Sequence, residues 1–141
     1  MEIIFAGDRI GECVKIRTEV FVIEQGVAPE LEVDGFDAPR APCDHYLIMD
    51  GGNAVGTFRC IFEGDAVHVG RLCEKKERRG EGFGRAALEF IEKEYASRGY
   101  AKITLGAQCA AIPFYEKCGF KTVSDVFLDA GIPHRTMEKM I

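Results

Sequence analysis

Between Arg78 and Arg85 the chain reads Arg-Arg-Gly-Glu-Gly-Phe-Gly-Arg. An apolar run of strand type ends near Glu74 just before it, and a helical pattern begins near Gly82 just after it. A glycine-rich turn from strand to helix points to folds in which helices pack on a sheet. Alternating glycines let the backbone approach a ligand closely and turn successive N–H groups the same way. The first N–H groups of the following helix lack intrahelical acceptors, and the helix dipole adds partial positive charge. Together these make an anion cradle, with phosphate or pyrophosphate the expected ligand. Two common forms fail on register. No glycine is followed by Lys-Ser or Lys-Thr, as a Walker A loop requires, and the third glycine falls one residue early for G-x-G-x-x-G. A nucleotide-binding regulator is therefore disfavoured. The spacing that fits is R-x-x-G-x-G, running from Arg79 through Gly80, Glu81, Gly82 and Phe83 to Gly84.

Charge is unevenly spread around this loop. The 141 residues carry 18 basic and 23 acidic side chains, a net −5 that argues against non-specific nucleic-acid binding. Between Arg71 and Arg85, six basic residues meet three acidic ones, a local +3 that leaves −8 for the rest. A polyanion held at one place explains the island, and so does a solvated charged loop. Residues 24–44 have the opposite character, with Glu24, Glu30, Glu32, Asp34, Asp37 and Asp44. They form either a solvated face or a lure for a cationic partner.

Hydrophobic spacing orders the other elements. Glu2–Ala6 is a short strand, and from Ile10 apolar residues recur at helical spacing through Cys13, Val14, Val20 and Phe21, with Asp8 as the candidate N-cap. Gly26–Cys43, rich in proline and acid, reads as a long functional or mobile loop. Asp44–Asp50, Ala54–Phe62 and Ala66–Cys73, joined by two tight turns, form an antiparallel meander. Gly82–Arg98 is the strongest helix, with Phe83, Ala87, Ile91 and Tyr95 as its core stripe and Gly99 as its C′ residue. Ala101–Gly106 is a strand, Cys109–Cys118 a short helix, and Phe120–Leu128 and His134–Met140 the last two strands. The order β-α-βββ-α-β-α-ββ describes a single α/β domain with a mixed sheet over residues 1–141.

No apolar run approaches the roughly 20 residues that span a bilayer, and the opening MEIIFAGDRI lacks the form of a secretory leader. A cytoplasmic protein without membrane contact is expected. Cys13, Cys43, Cys60, Cys73, Cys109 and Cys118 are scattered, with no C-x-x-C pair and no cluster at zinc spacing. Reduced structural thiols and no metal are expected.

Two motifs in order carry a family resemblance. The R-x-x-G-x-G loop resembles the acetyl-CoA pyrophosphate motif of the GNAT N-acetyltransferase superfamily. Phe114-Tyr115-Glu116-Lys117-Cys118-Gly119-Phe120 resembles its F/L-Y-x-x-x-G-F motif. The element order agrees with the GNAT-type acyl-CoA N-acyltransferase fold. Arg17-Thr18-Glu19-Val20-Phe21-Val22-Ile23-Glu24-Gln25, Ala107-Gln108 and Gly131-Ile132-Pro133-His134 are similar to the small bacterial ElaA/YjcF-like branch. The resemblance implies that the N–H groups of Gly80, Glu81, Gly82, Phe83, Gly84 and Arg85, with Arg79 beside them, bind the pyrophosphate. It implies that the main chain of Leu72, Cys73 and Glu74 holds the pantetheine arm and the acetyl carbonyl, that Gln108 borders the co-substrate, and that Tyr115 protonates the departing thiolate. Glu74 stands where the family usually has a hydrophobe, which brings a carboxylate close to the thioester. Gln108 replaces a common asparagine.

The implied reaction moves an acetyl group from acetyl-CoA to a primary amine by direct attack in a ternary complex. An alkyl amine with a pKa of about 10.4 is neutral in only about one molecule in a few thousand at pH 7, so a base must take its proton. Glu24, His45 and His134 are the leading candidates, with Glu32, Asp34 and Glu74 behind them. His68, in mid-strand, is set aside. A tyrosine near 10 can pass a proton to a thiolate near 8.5 in a concerted step. The acid of residues 24–44 would suit a cationic amine. Exposed edge strands leave room for a homodimer. The alternative is a non-catalytic acyl-CoA-binding sensor on the same fold.

Overall fold

A computed structural model describes all 141 residues. Eight strands form one mixed sheet: β1 (Glu2–Phe5), β2 (Cys43–Asp50), β3 (Asn53–Glu63), β4 (Ala66–Glu74), β5 (Lys102–Gln108), β6 (Lys121–Thr122), β7 (Phe127–Asp129) and β8 (Ile132–Met140). Their spatial order is β1-β2-β3-β4-β5-β8-β6, with β7 also paired to β8. Only β4 and β5 run parallel. A parallel neighbour requires a crossover, and the helix α3 (Phe83–Ser97) supplies it. The helices α1 (Ile10–Arg17), α2 (Pro29–Glu32) and α4 (Ile112–Lys117) complete the domain. No helix is long and apolar enough to cross a membrane.

The period-2 alternation of β2 explains how one sheet serves two cores. Tyr46 and Ile48 pack with the α3 stripe on one face, where Phe83, Ala87, Ile91 and Tyr95 are all buried. Leu47 and Met49 point the other way, onto Cys13, Ile16 and Val20 of the first helical segment. α3 ends as its sequence suggests. Gly99, at φ 90°, donates its N–H to Ala96, and Tyr100 donates to the Tyr95 carbonyl, the paired bonds of a Schellman cap.

Four local readings are corrected. Asp8 does not cap α1: it lies in a 3₁₀ turn, Gly7–Arg9, and the N-cap is Arg9, without a side-chain cap bond. The helix does not continue regularly past Arg17 but widens into a π-helical stretch, Thr18–Glu24. Phe120–Leu128 is two short strands rather than one. The intervening chain leaves β8 around Ser124, whose hydroxyl accepts the Thr136 N–H at 2.7 Å and whose carbonyl accepts Arg135 Nε at 3.0 Å. The stretch Gly26–Cys43 is not a free loop. It holds α2 and a 3₁₀ turn in which Asp34 accepts the Phe36 N–H and Asp37 accepts the Asp34 N–H, both at 3.0 Å.

Candidate active site

β4 and β5 pair from Ala66–Lys102 to Val69–Leu105 and then part. Beyond that point β5 stays bonded to β8 as far as Gln108–His134, and β4 stays bonded to β3 as far as Glu74–Gly56. The outer edge of Gly70–Glu74 is left facing a cleft of about 470 Å³. The divergence has a local cause. Arg59 faces Gly70 but Thr57 faces Cys73, so β4 carries one extra residue, a β-bulge that bends the strand away. Arg71, at the bulge, takes a left-handed φ of 54°. Its guanidinium is held by Glu32 at 3.3 Å and Asp34 at 3.5 Å, which offsets the strain.

The glycine loop follows β4 after a 3₁₀ turn, Lys76–Arg78. Gly82, at φ 85°, is the N-cap of α3, a conformation costly for any residue with a β-carbon. The N–H groups of Gly80, Glu81, Gly82, Phe83, Gly84 and Arg85 find no acceptor in the chain; the first helical bond is from Ala86 to Gly82. Six adjacent main-chain donors are thus left without an acceptor in the chain. The arginines behave differently from the simple charge count. Arg78 binds Asp50 and Glu81, Arg79 binds Glu24, Arg71 binds Glu32 and Asp34, and Arg85 binds Glu89. What the loop offers an anion is mainly its backbone and the helix dipole.

Tyr115 stands on α4 and lines the cleft. Its motif is a helix cap: Gly119, at φ 92°, donates to the Glu116 carbonyl at 3.0 Å, and Phe120 donates to the Tyr115 carbonyl at 3.1 Å. The Tyr115 and Phe120 rings pack edge to face at 6.0 Å, the apolar contact that accompanies such a cap. The Y-x-x-x-G-F spacing is therefore what fixes the tyrosine. Its hydroxyl has no hydrogen-bond partner, and burial pushes the phenol up to about 12.

The cleft brings Leu72, Cys73, Glu74, Arg79, Gln108, Tyr115 and His134 together. His134 is buried, with Nδ1 2.6 Å from the Ile132 carbonyl oxygen. That acceptor fixes Nδ1 as the donor and leaves Nε2 as the ring nitrogen without a partner. Its Cδ2 edge lies against Gly106, beside the point where the strands part. Gln108 Nε2 donates to Gln25 Oε1 across the cleft at 2.9 Å.

Two of the candidate bases fall elsewhere. Glu24 does not line the cleft: Arg79 holds both its oxygens, at 2.5 and 2.8 Å, and keeps the carboxylate below its usual range, a poor state for a base. His45 is buried outside the cleft with Nε2 2.9 Å from the Phe36 carbonyl oxygen. Two cleft residues lay outside the sequence candidates, His68 set aside and Asp129 unnamed. His68 lines it, with Nδ1 2.8 Å from Thr104 Oγ1, and burial lowers its pKa so that the ring is neutral. Strand alternation is the signal that finds it, since Val67 and Val69 face the α3 core and His68 must face away. Asp129 also lines the cleft and is unpaired.

Most of the acidic segment is paired with arginines of the chain itself. Arg17 binds Glu32 and Asp37, each at 2.7 Å, and Arg59 binds Asp34 at 2.6 Å and Asp37 at 3.2 Å. Arg98 and Tyr95 hold Asp44. Burial alone would raise the Asp37 carboxyl, but the bonds from Arg17 and the Asp34 N–H outweigh it and hold it at about 2. Glu32 and Asp34 are likewise committed and serve the wall of the cleft rather than its chemistry.

A family model described as an acetyltransferase (GNAT) domain matches residues 40–141. The uncharacterized N-acetyltransferase YjcF of Bacillus subtilis (strain 168) is 35% identical over 133 residues, covering 94% of this chain and 93% of its own. Among solved structures, an acyl-CoA N-acyltransferase from Pseudomonas aeruginosa superposes with a TM-score of 0.84 at 27% identity, over 98% of this chain and 97% of the other. Escherichia coli ElaA superposes with a TM-score of 0.83 at 25% identity, over the same shares of the two chains.

Proposed function

The chain belongs to the GNAT acetyltransferase family, and from that premise we propose that it moves an acetyl group from acetyl-CoA to a primary amine by direct attack in a ternary complex. The observation that carries this reading is the row of six unpaired N–H groups at the start of α3, set beside a cleft with a free strand edge. Acetyl-CoA suits both features. Gly80 to Arg85 donate to its pyrophosphate, and the main chain of Leu72, Cys73 and Glu74 pairs with the pantetheine amides as with an added strand.

His134 takes the amine's proton on Nε2. The freed nitrogen attacks the thioester carbonyl carbon; the C–N bond forms, the C–S bond breaks, Tyr115 passes its phenolic proton to the sulfur, and the remaining proton shed by the new amide nitrogen restores the phenol. A phenol at about 12 keeps its proton throughout the working range. The burial that disfavours phenolate also disfavours a thiolate in the same place, so Tyr115 delivers the proton as the bond breaks. Gln108, tied to Gln25, forms part of the cleft wall. Glu74 and Asp129 are the cleft carboxylates without a cationic partner within ion-pairing distance, and Asp129, exposed at the rim, is placed to meet an approaching ammonium.

The test is CoA thiol release from acetyl-CoA against a panel of primary amines. Release stimulated by at least one amine is expected. Tight CoA binding without stimulation by any amine would replace the enzyme with the acyl-CoA sensor.

A further inference from the structure

One group lining the cleft has no partner and no part in the chemistry above. The Glu74 carboxyl makes no hydrogen bond, and its Oε2 is buried without a partner. Glu74 is the last residue of β4, opposite Gly56 of β3, and a 3₁₀ turn, Lys76–Arg78, separates it from the glycine loop. A β-carbon on Gly84 would lie 3.7 Å from Glu74 Oε1 and 3.3 Å from the Phe114 ring. The carboxyl is thus wedged between the strand end, an aromatic ring and the first turn of α3, beside the unpaired N–H row.

The charged and titratable groups around it do little to stabilise an anion. Arg79 touches only the Glu74 carbonyl, at 3.4 Å, and its guanidinium is committed to Glu24. Glu81, on the cradle itself, repels. Tyr115 on α4 is neutral, and Gly56 brings no charge from β3. Burial first, and Glu81 after it, push the carboxyl above its usual range against the opposing pull of Arg79. An ionised Glu74 beside a seated pyrophosphate would be a like-charge contact in a desolvated place, which either costs affinity or forces protonation.

We propose that Glu74 makes acyl-CoA binding proton-linked: the phosphates settle in the cradle with Glu74 in its neutral form, its hydroxyl donating a hydrogen bond to the ligand. This rests on the cradle being the pyrophosphate site. Affinity then falls as pH rises through the range in which free Glu74 ionises, because a proton must be taken up on binding.

The test is CoA affinity by titration calorimetry from pH 5 to 8 for wild type and Glu74→Gln, with thermal melts to check folding and Glu74→Ala as a second neutral variant. Comparing variants at each pH cancels the titration of the ligand's own phosphates. Near-equal affinity at pH 5 is expected, widening until Glu74→Gln binds about tenfold tighter at pH 8, one pKa unit of linkage. With pantetheine, which has no phosphate, the gap should vanish. A wild-type-to-variant ratio that is flat with pH, or a gap that persists with pantetheine, overturns the proposal while leaving the cradle intact. Failure of every form to bind CoA at any pH overturns both.

Discussion

The ion cluster under the Gly26–Cys43 segment and the cleft beside it are both rich in polar groups, but the two regions are paired to different degrees. In the cluster, Arg17, Arg59 and Arg71 meet Glu32, Asp34 and Asp37, three charges of each sign, with bonds as short as 2.6 Å. In the cleft, six main-chain donors, the Tyr115 hydroxyl and the Glu74 carboxyl have no partner at all. Folded chains rarely leave buried polar groups unpaired, because each one forfeits its hydration. In the cluster Arg59 Nε and Arg71 Nε also lack a hydrogen-bond partner, but both guanidiniums are held by carboxylates, whereas the free groups of the cleft have no such counter-charge and are open to a ligand. Arg71 and Glu74 stand three residues apart on β4, on either side of that division.

Breaking the balanced region should have the largest effect. Arg17→Met leaves Glu32 and Asp37 buried without their main cation, and urea unfolding is expected to show a loss of about 3–5 kcal/mol. A loss under about 1 kcal/mol would mean that water, not Arg17, satisfies those carboxylates. Next comes the unsatisfied hydroxyl. Tyr115→Phe should lower kcat about 100-fold, at the lower end of general-acid contributions, with the KM for acetyl-CoA and the melting temperature unchanged. Full activity across pH would remove Tyr115 as the acid.

Acid sharpens the same contrast without a mutation. Asp37 is held at about 2 in the fold, against about 3.9 in an unfolded chain. Because the folded value is the lower one, the contribution is fully present above about pH 5 and is lost progressively as pH falls through 2. It amounts to about 2.6 kcal/mol. Asp37→Asn should flatten that part of the stability–pH curve, and an unchanged slope would assign the acid sensitivity to other carboxylates.

The same division separates what sequence can disclose from what it cannot. The glycine loop, the α3 stripe and the Tyr115–Phe120 cap are set by residues within about one helical turn of each other, so their spacing is readable directly. The ion cluster joins Arg17 to Asp37 and Arg59 to Asp34 across 20 and 25 residues, and no local pattern encodes such partners. The acidic segment was open to a charge-attracting role for that reason: its neutralising arginines lie on other elements. Glu24 and His45 lost their claim to base chemistry in the same way, to Arg79 and to a backbone carbonyl. His68 needed the β4–β5 pairing to be known before its face was clear. Phe120–Leu128 split because Ser124 bonds sideways to β8, a contact invisible to hydrophobic alternation.

The smallest expected effect bears most directly on the unsatisfied side. Gly82→Ala places a β-carbon where nothing lies within 4 Å, so any cost is conformational rather than steric against a neighbour. At φ 85° that cost is about 1–2 kcal/mol. The chain can absorb it in two ways. If the loop holds its shape, the whole cost appears in unfolding and CoA affinity is unchanged. If the loop relaxes, the N–H row turns away from its common focus, stability hardly moves and CoA binding weakens by about tenfold, since about 1.4 kcal/mol of the strain is then transferred to the bound state. Unpaired donors have no internal bonds to keep them aligned, so the second outcome is expected. Measuring melting temperature and CoA affinity on the same variant distinguishes them, and retention of affinity with a full loss of stability would show that the cradle is rigid before its ligand arrives.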